Sequence, residues 1–175
     1  MADYEPATDE DMRIATIQLG RPVRGVAGVA WRCKCGVPGV LVTYPRLPNG
    51  GPPFPTTYYL SHPGMVRECS RLEASGIMAE WTESLKTDKE LAKAYNLAHK
   101  SYLEDRAKLG AEIGDEVLEI ANITAGGMPD RVKCLHALVG HALAKGPGVN
   151  PIGDMALEMI GDVCEHPCRT EAIDE

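Results

Sequence analysis

No stretch of this sequence offers the roughly 20 consecutive apolar residues that a bilayer-spanning helix requires. Arg, Lys, Gly or Pro interrupts each apolar run within a few residues. An apolar signal region is missing too, since the chain starts with the acidic string MADYEPATDEDMR. Both absences predict a soluble, cytoplasmic protein. Basic charge is in deficit: 18 Lys and Arg face 25 Asp and Glu, for a net charge of -7. A phosphate-gripping surface wants the opposite balance, so general nucleic-acid binding is not expected, while a local basic site for a small anionic ligand stays open. Internal repeats and low-complexity tracts are lacking. So are a second Cys-x-x-Cys pair of the zinc-finger kind and the Gly-Lys-Ser/Thr ending of a P-loop.

What the chain does have is six cysteines, Cys33, Cys35, Cys69, Cys134, Cys164 and Cys168, in 175 residues. That length suffices for one domain with its own core, so disulfide staples are not required. Without a secretory signal the thiols are expected to be reduced, and therefore buried, catalytic or metal-bound.

Residues 1–7 read as a disordered tail. Thr8 with Asp9, Glu10 and Asp11 caps a helix that runs to about Leu19, where Gly20 and Pro22 stop it. VAGVAWRCKC and GVLVTY, separated by GVPG, read as an antiparallel strand pair with Cys33 and Cys35 at its turn. A proline-rich loop follows, then a third strand in TTYYL and a helix from about His62 that Gly76 ends. Within that helix Cys69 reads as core. TDKE from Thr87 to Glu90 has the form of a capping box, and Leu91, Ala94, Tyr95, Ala98 and Tyr102 continue one apolar face. A shorter helix is predicted over 115–121, another over PDRVKCLHALVGHALA from Pro129 to Ala144, and a last one from Pro151. The expected fold class is α+β, a small antiparallel sheet near the N-terminus followed by a helical majority. Residues 8–163 form the expected single domain, and 164–175 a mobile acidic tail.

The strings RCKCGVPGVLVTYPRLPNG, PFPTTYYL, SRLEASGIM, AGGMPDRVKCLH and GPGVNPIGD, spread from about Gly20 to Ile160, together resemble the uncharacterised bacterial family called domain of unknown function 501. The resemblance implies no reaction. It implies only a genomic neighbourhood, beside a polyphosphate-degrading phosphatase and a septum-formation protein. Where that family usually reads YYLTCP this chain reads YYLSHP, which puts His62 in a cysteine's slot. Cysteine and histidine have little in common except that both bind zinc and related transition metals.

Cys33, Cys35, His62, Cys134, His136 and His141 are the candidate metal ligands, from three separate segments, where a tetrahedral site needs four. In a regular helix Cys134 and His141 lie roughly 10 Å apart along the axis, and His136 faces nearly the other side from Cys134. The three therefore share an ion only if the helix starts late and the hairpin arrives beside it. Zinc is favoured because mixed Cys and His ligands suit it. An iron-sulfur cluster is less favoured, since His62 leaves fewer converging thiolates. The plainer reading makes Leu135, Leu138, Val139, Ala142 and Leu143 an apolar stripe with Cys134, His136 and His141 along its edges. Cys164, His166 and Cys168 form a second cluster, assigned to the solvated tail.

Two further sites are open. The Gly126-Gly127 loop feeding a helix N-terminus, with Arg131, Lys133, Arg46 and Arg71, is a candidate anion pocket. Cys134 with His136 or His141 is a candidate nucleophile and base for a metal-free enzyme acting on a phosphorylated or acyl substrate. Glu73, Glu80 and Glu104 have no evident partner in the sequence. A third reading is an interaction module linked to cell division or polyphosphate metabolism.

Overall fold

A computed structural model describes residues 4–168. The described residues form a three-stranded antiparallel sheet and six α-helices, an α+β fold. α1 (Asp9–Leu19) precedes the strands β1 (Val26–Arg32), β2 (Pro38–Thr43) and β3 (Tyr58–Leu60), which lie in the order β1-β2-β3. The helices α2 (Pro63–Ala74), α3 (Ile77–Thr87), α4 (Lys89–Glu112), α5 (Leu135–Lys145) and α6 (Pro151–Ile160) follow. Among the described residues no helix is long and apolar enough to cross a membrane.

Every residue of β2 is buried, because the sheet is covered on both faces. Successive strand side chains point to opposite faces. Leu41 packs with Val29 of β1 and Ala15 of α1, while Val40 and Val42 join Tyr58, Leu60, Leu135, Leu138 and Val139 in the main core. α5 thus lies at the centre, between β3 and α6. Two glycines permit its close approach: a Cβ on Gly140 would lie 2.8 Å from the Tyr58 carbonyl oxygen, and one on Gly153 of α6 2.4 Å from that of Leu138.

Residues 4–7, expected to belong to the disordered tail, fold back on the sheet. Glu5 exchanges two backbone hydrogen bonds with Val29, at 3.0 and 2.8 Å. The Thr8 cap forms as predicted, with Asp11 completing a capping box. Asp11 also receives both ends of the Arg32 guanidinium, at 2.6 and 3.0 Å, and so ties α1 to the end of β1.

Three local expectations need correction. The segment after Gly76 forms a helix of its own, α3, and Asp88 rather than Thr87 caps α4, accepting the Leu91 N–H at 3.0 Å. The helix expected over 115–121 shrinks to a short 3-10 turn, Leu118–Ile120. There the Arg106 guanidinium donates to the carbonyls of Ile120, Ile123 and, in the proline-rich loop, Pro55, drawing backbone away from helical bonding. The helix predicted from Pro129 starts only at Leu135, with Cys134 as its N-cap residue. Upstream, the amides of Lys133 and Cys134 are taken by the Gly126 carbonyl.

Candidate metal centre

The turn between β1 and β2 places Cys33 and Cys35. Cys33 N–H donates to the Val37 carbonyl at 2.9 Å, and Gly36 N–H to the Cys33 carbonyl at 2.8 Å, so the turn folds tightly around the two thiols. After α6 the chain runs back as 161–168 and crosses the start of α2 at Gly64. A Cβ there would meet Val163 at 3.0 Å, which makes room for the crossing a matter of having no side chain. The segment is held by the exposed Lys34–Asp162 ion pair and by Asp162 accepting the Cys164 N–H at 3.0 Å.

This path brings Cys164 and Cys168 against Cys33 and Cys35. All four sulfurs lie within 4.8 Å of one another, and all are free thiols. Cys33 and Cys168 are 135 residues apart in sequence, with sulfurs 3.6 Å apart, and Cys168 to Cys164 is 3.8 Å. Four thiolates at about 2.3 Å from a tetrahedral zinc stand roughly 3.8 Å from one another, whereas a disulfide would bring two sulfurs to about 2.05 Å. These four cysteines could hold a metal ion. Cys33 and Cys168 are each 5 % exposed and share a small apolar cluster with Ile14 and Val37.

Burial pushes the Cys33 and Cys168 thiols up. Burial also opposes ionisation of Cys35, but the amides of Cys168 and Val37, together with the Cys168 and Cys33 thiols, outweigh it and bring this thiol down to about 7. A first thiolate therefore forms easily. A cation among the four sulfurs would compensate the charge left by the remaining protons.

His62 caps α2 and is buried. Its Nδ1 accepts the Met65 N–H at 3.3 Å, so the ring proton resides on Nε2, which lies 3.1 Å from the Cys168 sulfur. Burial lowers its pKa and keeps the ring neutral. His62 is thus placed to donate a hydrogen bond to a thiolate, as a supporting group beside the four sulfurs.

Of the predicted ligands, then, the structure groups Cys33 and Cys35 with each other and His62 beside them. Cys164 and Cys168, assigned by sequence to a solvated tail, are their partners. The remaining tail, 169–175, and residues 1–3 lie outside the described residues. Cys134 and His136 form a different group, with Glu73. His141 is fully buried between the Tyr58 and Tyr102 rings, its Nδ1 3.2 Å from the Asn150 amide nitrogen, and burial holds it down to about 4. A single ion joining the hairpin to the Cys134 helix is therefore corrected to a four-thiol group joining the hairpin to the segment after α6.

Two of the four basic residues of the expected anion pocket have partners of their own. Arg46 pairs with Asp115 and Glu119, and Arg71 with Glu68 at 2.6 Å. Gly126 and Gly127 turn their carbonyls to the amides of Lys133 and Arg131. Glu73, not an external anion, meets the N-terminus of α5, accepting the Leu135 N–H at 2.7 Å.

Fold and site together define an α+β protein with a half-buried four-thiol centre. The family model described as Protein of unknown function (DUF501) matches residues 29–158, and the chain belongs to that family. Cys33, Cys35 and His62 lie inside the matched residues, and Cys164 and Cys168 just beyond them. No curated protein and no solved structure matches the chain.

Proposed function

We propose that this is a zinc-binding protein in which Cys33, Cys35, Cys164 and Cys168 hold one ion that clamps the segment after α6 onto the β1–β2 turn. The observation that carries the reading is the mutual approach of four free thiols to within 4.8 Å at sulfur spacings of 3.6 and 3.8 Å. Those spacings suit a single tetrahedral ion. An iron-sulfur cluster places its iron and sulfide atoms between the cysteines and would hold them further apart.

The ion's part is structural. Four protein ligands leave no position for water or substrate. Two anchored pairs enclose it, one on a sheet turn and one on a chain crossing α2. With Zn²⁺ bound, four thiolates would carry a net charge of -2, which the His62 Nε2–H and the Glu165 N–H, 3.5 Å from the Cys168 sulfur, help to disperse.

Elemental analysis of protein purified under reducing conditions without chelator tests the reading. One equivalent of zinc is expected, lost when Cys35 and Cys164 are both replaced by Ser. Protein free of stoichiometric metal that also fails to take up added zinc would rule the clamp out.

A further inference from the structure

A second group of reactive side chains stands apart from the four thiols, on the opposite side of α2. Cys134 precedes α5, and its sulfur lies 4.0 Å from His136 Nδ1. The same nitrogen is 3.0 Å from Glu73 Oε1, while His136 Nε2 is 3.3 Å from Ser70 Oγ.

These contacts fix the protons. Glu73 only accepts, so Nδ1 carries a hydrogen. Ser70 gives its hydroxyl proton to the Val66 carbonyl at 3.0 Å, so Nε2 donates to Ser70 as well. A ring that donates from both nitrogens is an imidazolium. Hydrogen bonding to Cys134, and after it to Glu73, raises His136 to about 9 against the opposing effect of burial. For Cys134 burial opposes ionisation, but His136 and the Ala137 amide outweigh it and lower the thiol's pKa. Cys69, fully buried on α2, is pushed the other way, up to about 12.

Cys134 also lines a cavity of about 360 Å³ whose other walls include Leu19, Tyr59, Leu60, Val66, His136 and Ala137. That volume falls at the small end of ligand pockets. Its lining is mainly apolar, and its one charged group, His136, is already engaged by Glu73. A cysteine whose pKa is lowered by an adjacent histidine, beside a small apolar cavity, suits attack on a carbonyl that carries a short hydrocarbon chain.

We propose that Cys134 is a nucleophile that accepts a short-chain acyl group from a thioester, with the chain in this cavity. The Cys134 sulfur forms a bond to the carbonyl carbon as the substrate's carbon–sulfur bond breaks. The bonding pair leaves on the departing sulfur, which takes the Nδ1 proton of His136. The products are S-acyl Cys134, a free thiol and a neutral His136. Glu73 is a positioning residue, since it fixes the ring and the first turn of α5 together.

The test treats the full chain with S-phenyl thiobutyrate, follows thiophenol release and locates the acyl group by peptide mass spectrometry. Acylation is expected at Cys134, slowed about 100-fold at pH 7 by His136→Gln, in the range of general acid–base contributions. Acylation at the rate of a short cysteine peptide, or a rate the variant leaves unchanged, would overturn the proposal. A measurement on the unaltered protein guards against a misfolded variant. Iodoacetamide alkylation of Cys134 should reach its plateau rate below the ordinary thiol pKa of about 8.5, and a rate still climbing through that pH would overturn it too. Added zinc that protects Cys134 from alkylation would assign Glu73, Cys134 and His136 to a metal instead. The four-thiol clamp stands or falls separately, by its own zinc content.

Discussion

Replacing Cys168 by Ser isolates the contribution of the ion to stability. The Cys168 sulfur is the most connected atom of the centre, 3.6 Å from that of Cys33, 3.8 Å from that of Cys164 and 3.1 Å from His62 Nε2. A serine hydroxyl fills nearly the same space but does not ionise near neutral pH, so packing is largely kept while a ligand is lost. An ion that binds only the folded state stabilises it by about 4 kcal/mol when free zinc is about 1,000 times the dissociation constant. At about 2–4 °C per kcal/mol for a domain of this size, the zinc-loaded wild type should melt about 8–16 °C above the same protein stripped by chelator. The Cys168→Ser variant should melt close to the stripped wild type and respond little to zinc. Differential scanning calorimetry in the presence of a reductant, with and without zinc, measures all four states. A wild-type Tm indifferent to zinc and chelator, or a variant with the full zinc response, would refute the reasoning.

Three further outcomes follow from the same geometry. His62→Ala should weaken zinc binding by about 10–100-fold while leaving one equivalent bound, as expected for a group that supports a ligand; competition with a chromogenic chelator reads this, and loss of stoichiometry would make His62 a ligand. Arg32 and Thr8 hold the Asp11 carboxyl well below the usual carboxylate range. Its folded-state pKa is depressed, so its stabilisation is complete above the unfolded value of about 3.9 and is lost as pH falls below that. Urea midpoints of wild type and Asp11→Asn should accordingly differ at pH 7 and converge toward pH 2, and a constant gap would contradict this. Gly140→Ala should cost about 1–3 kcal/mol, because the new methyl lies 2.8 Å from the Tyr58 carbonyl oxygen and must push α5 from β3; an unchanged urea midpoint would show that the contact relaxes freely.

Periodicity and turn chemistry made much of the fold legible. Val40, Leu41 and Val42 announce a strand, and Thr8 with Asp11 announces a cap that forms as expected. α3 escaped notice because Gly76, read as a stop, also serves as its left-handed N-cap. The helix start at Cys134 was misplaced because the competing acceptor, the Gly126 carbonyl, is supplied by a loop whose course no local pattern reveals.

The centre was half legible for a similar reason. Cys-x-Cys at a strand turn pointed to Cys33 and Cys35, and the histidine in a cysteine's slot marked position 62. The other two thiols sit in CEHPC after the last helix, where composition suggested solvent. Only the crossing over Gly64 carries them back to the hairpin, which for Cys168 and Cys33 spans 135 residues. Glu73 had no visible partner for the same cause: its contacts, Leu135 and His136, are 62 and 63 residues away. The Cys-x-x-x-Cys spacing at 164–168 was the one available signal for the missing half.

Zinc K-edge X-ray absorption on the purified, zinc-loaded protein tests the central claim most directly. The clamp predicts a single shell of four sulfurs at about 2.3 Å with no nitrogen or oxygen ligand. A shell containing light-atom scatterers at about 2.0–2.1 Å would mean that imidazole, carboxylate or water binds the ion, and would contradict the four-thiolate assignment.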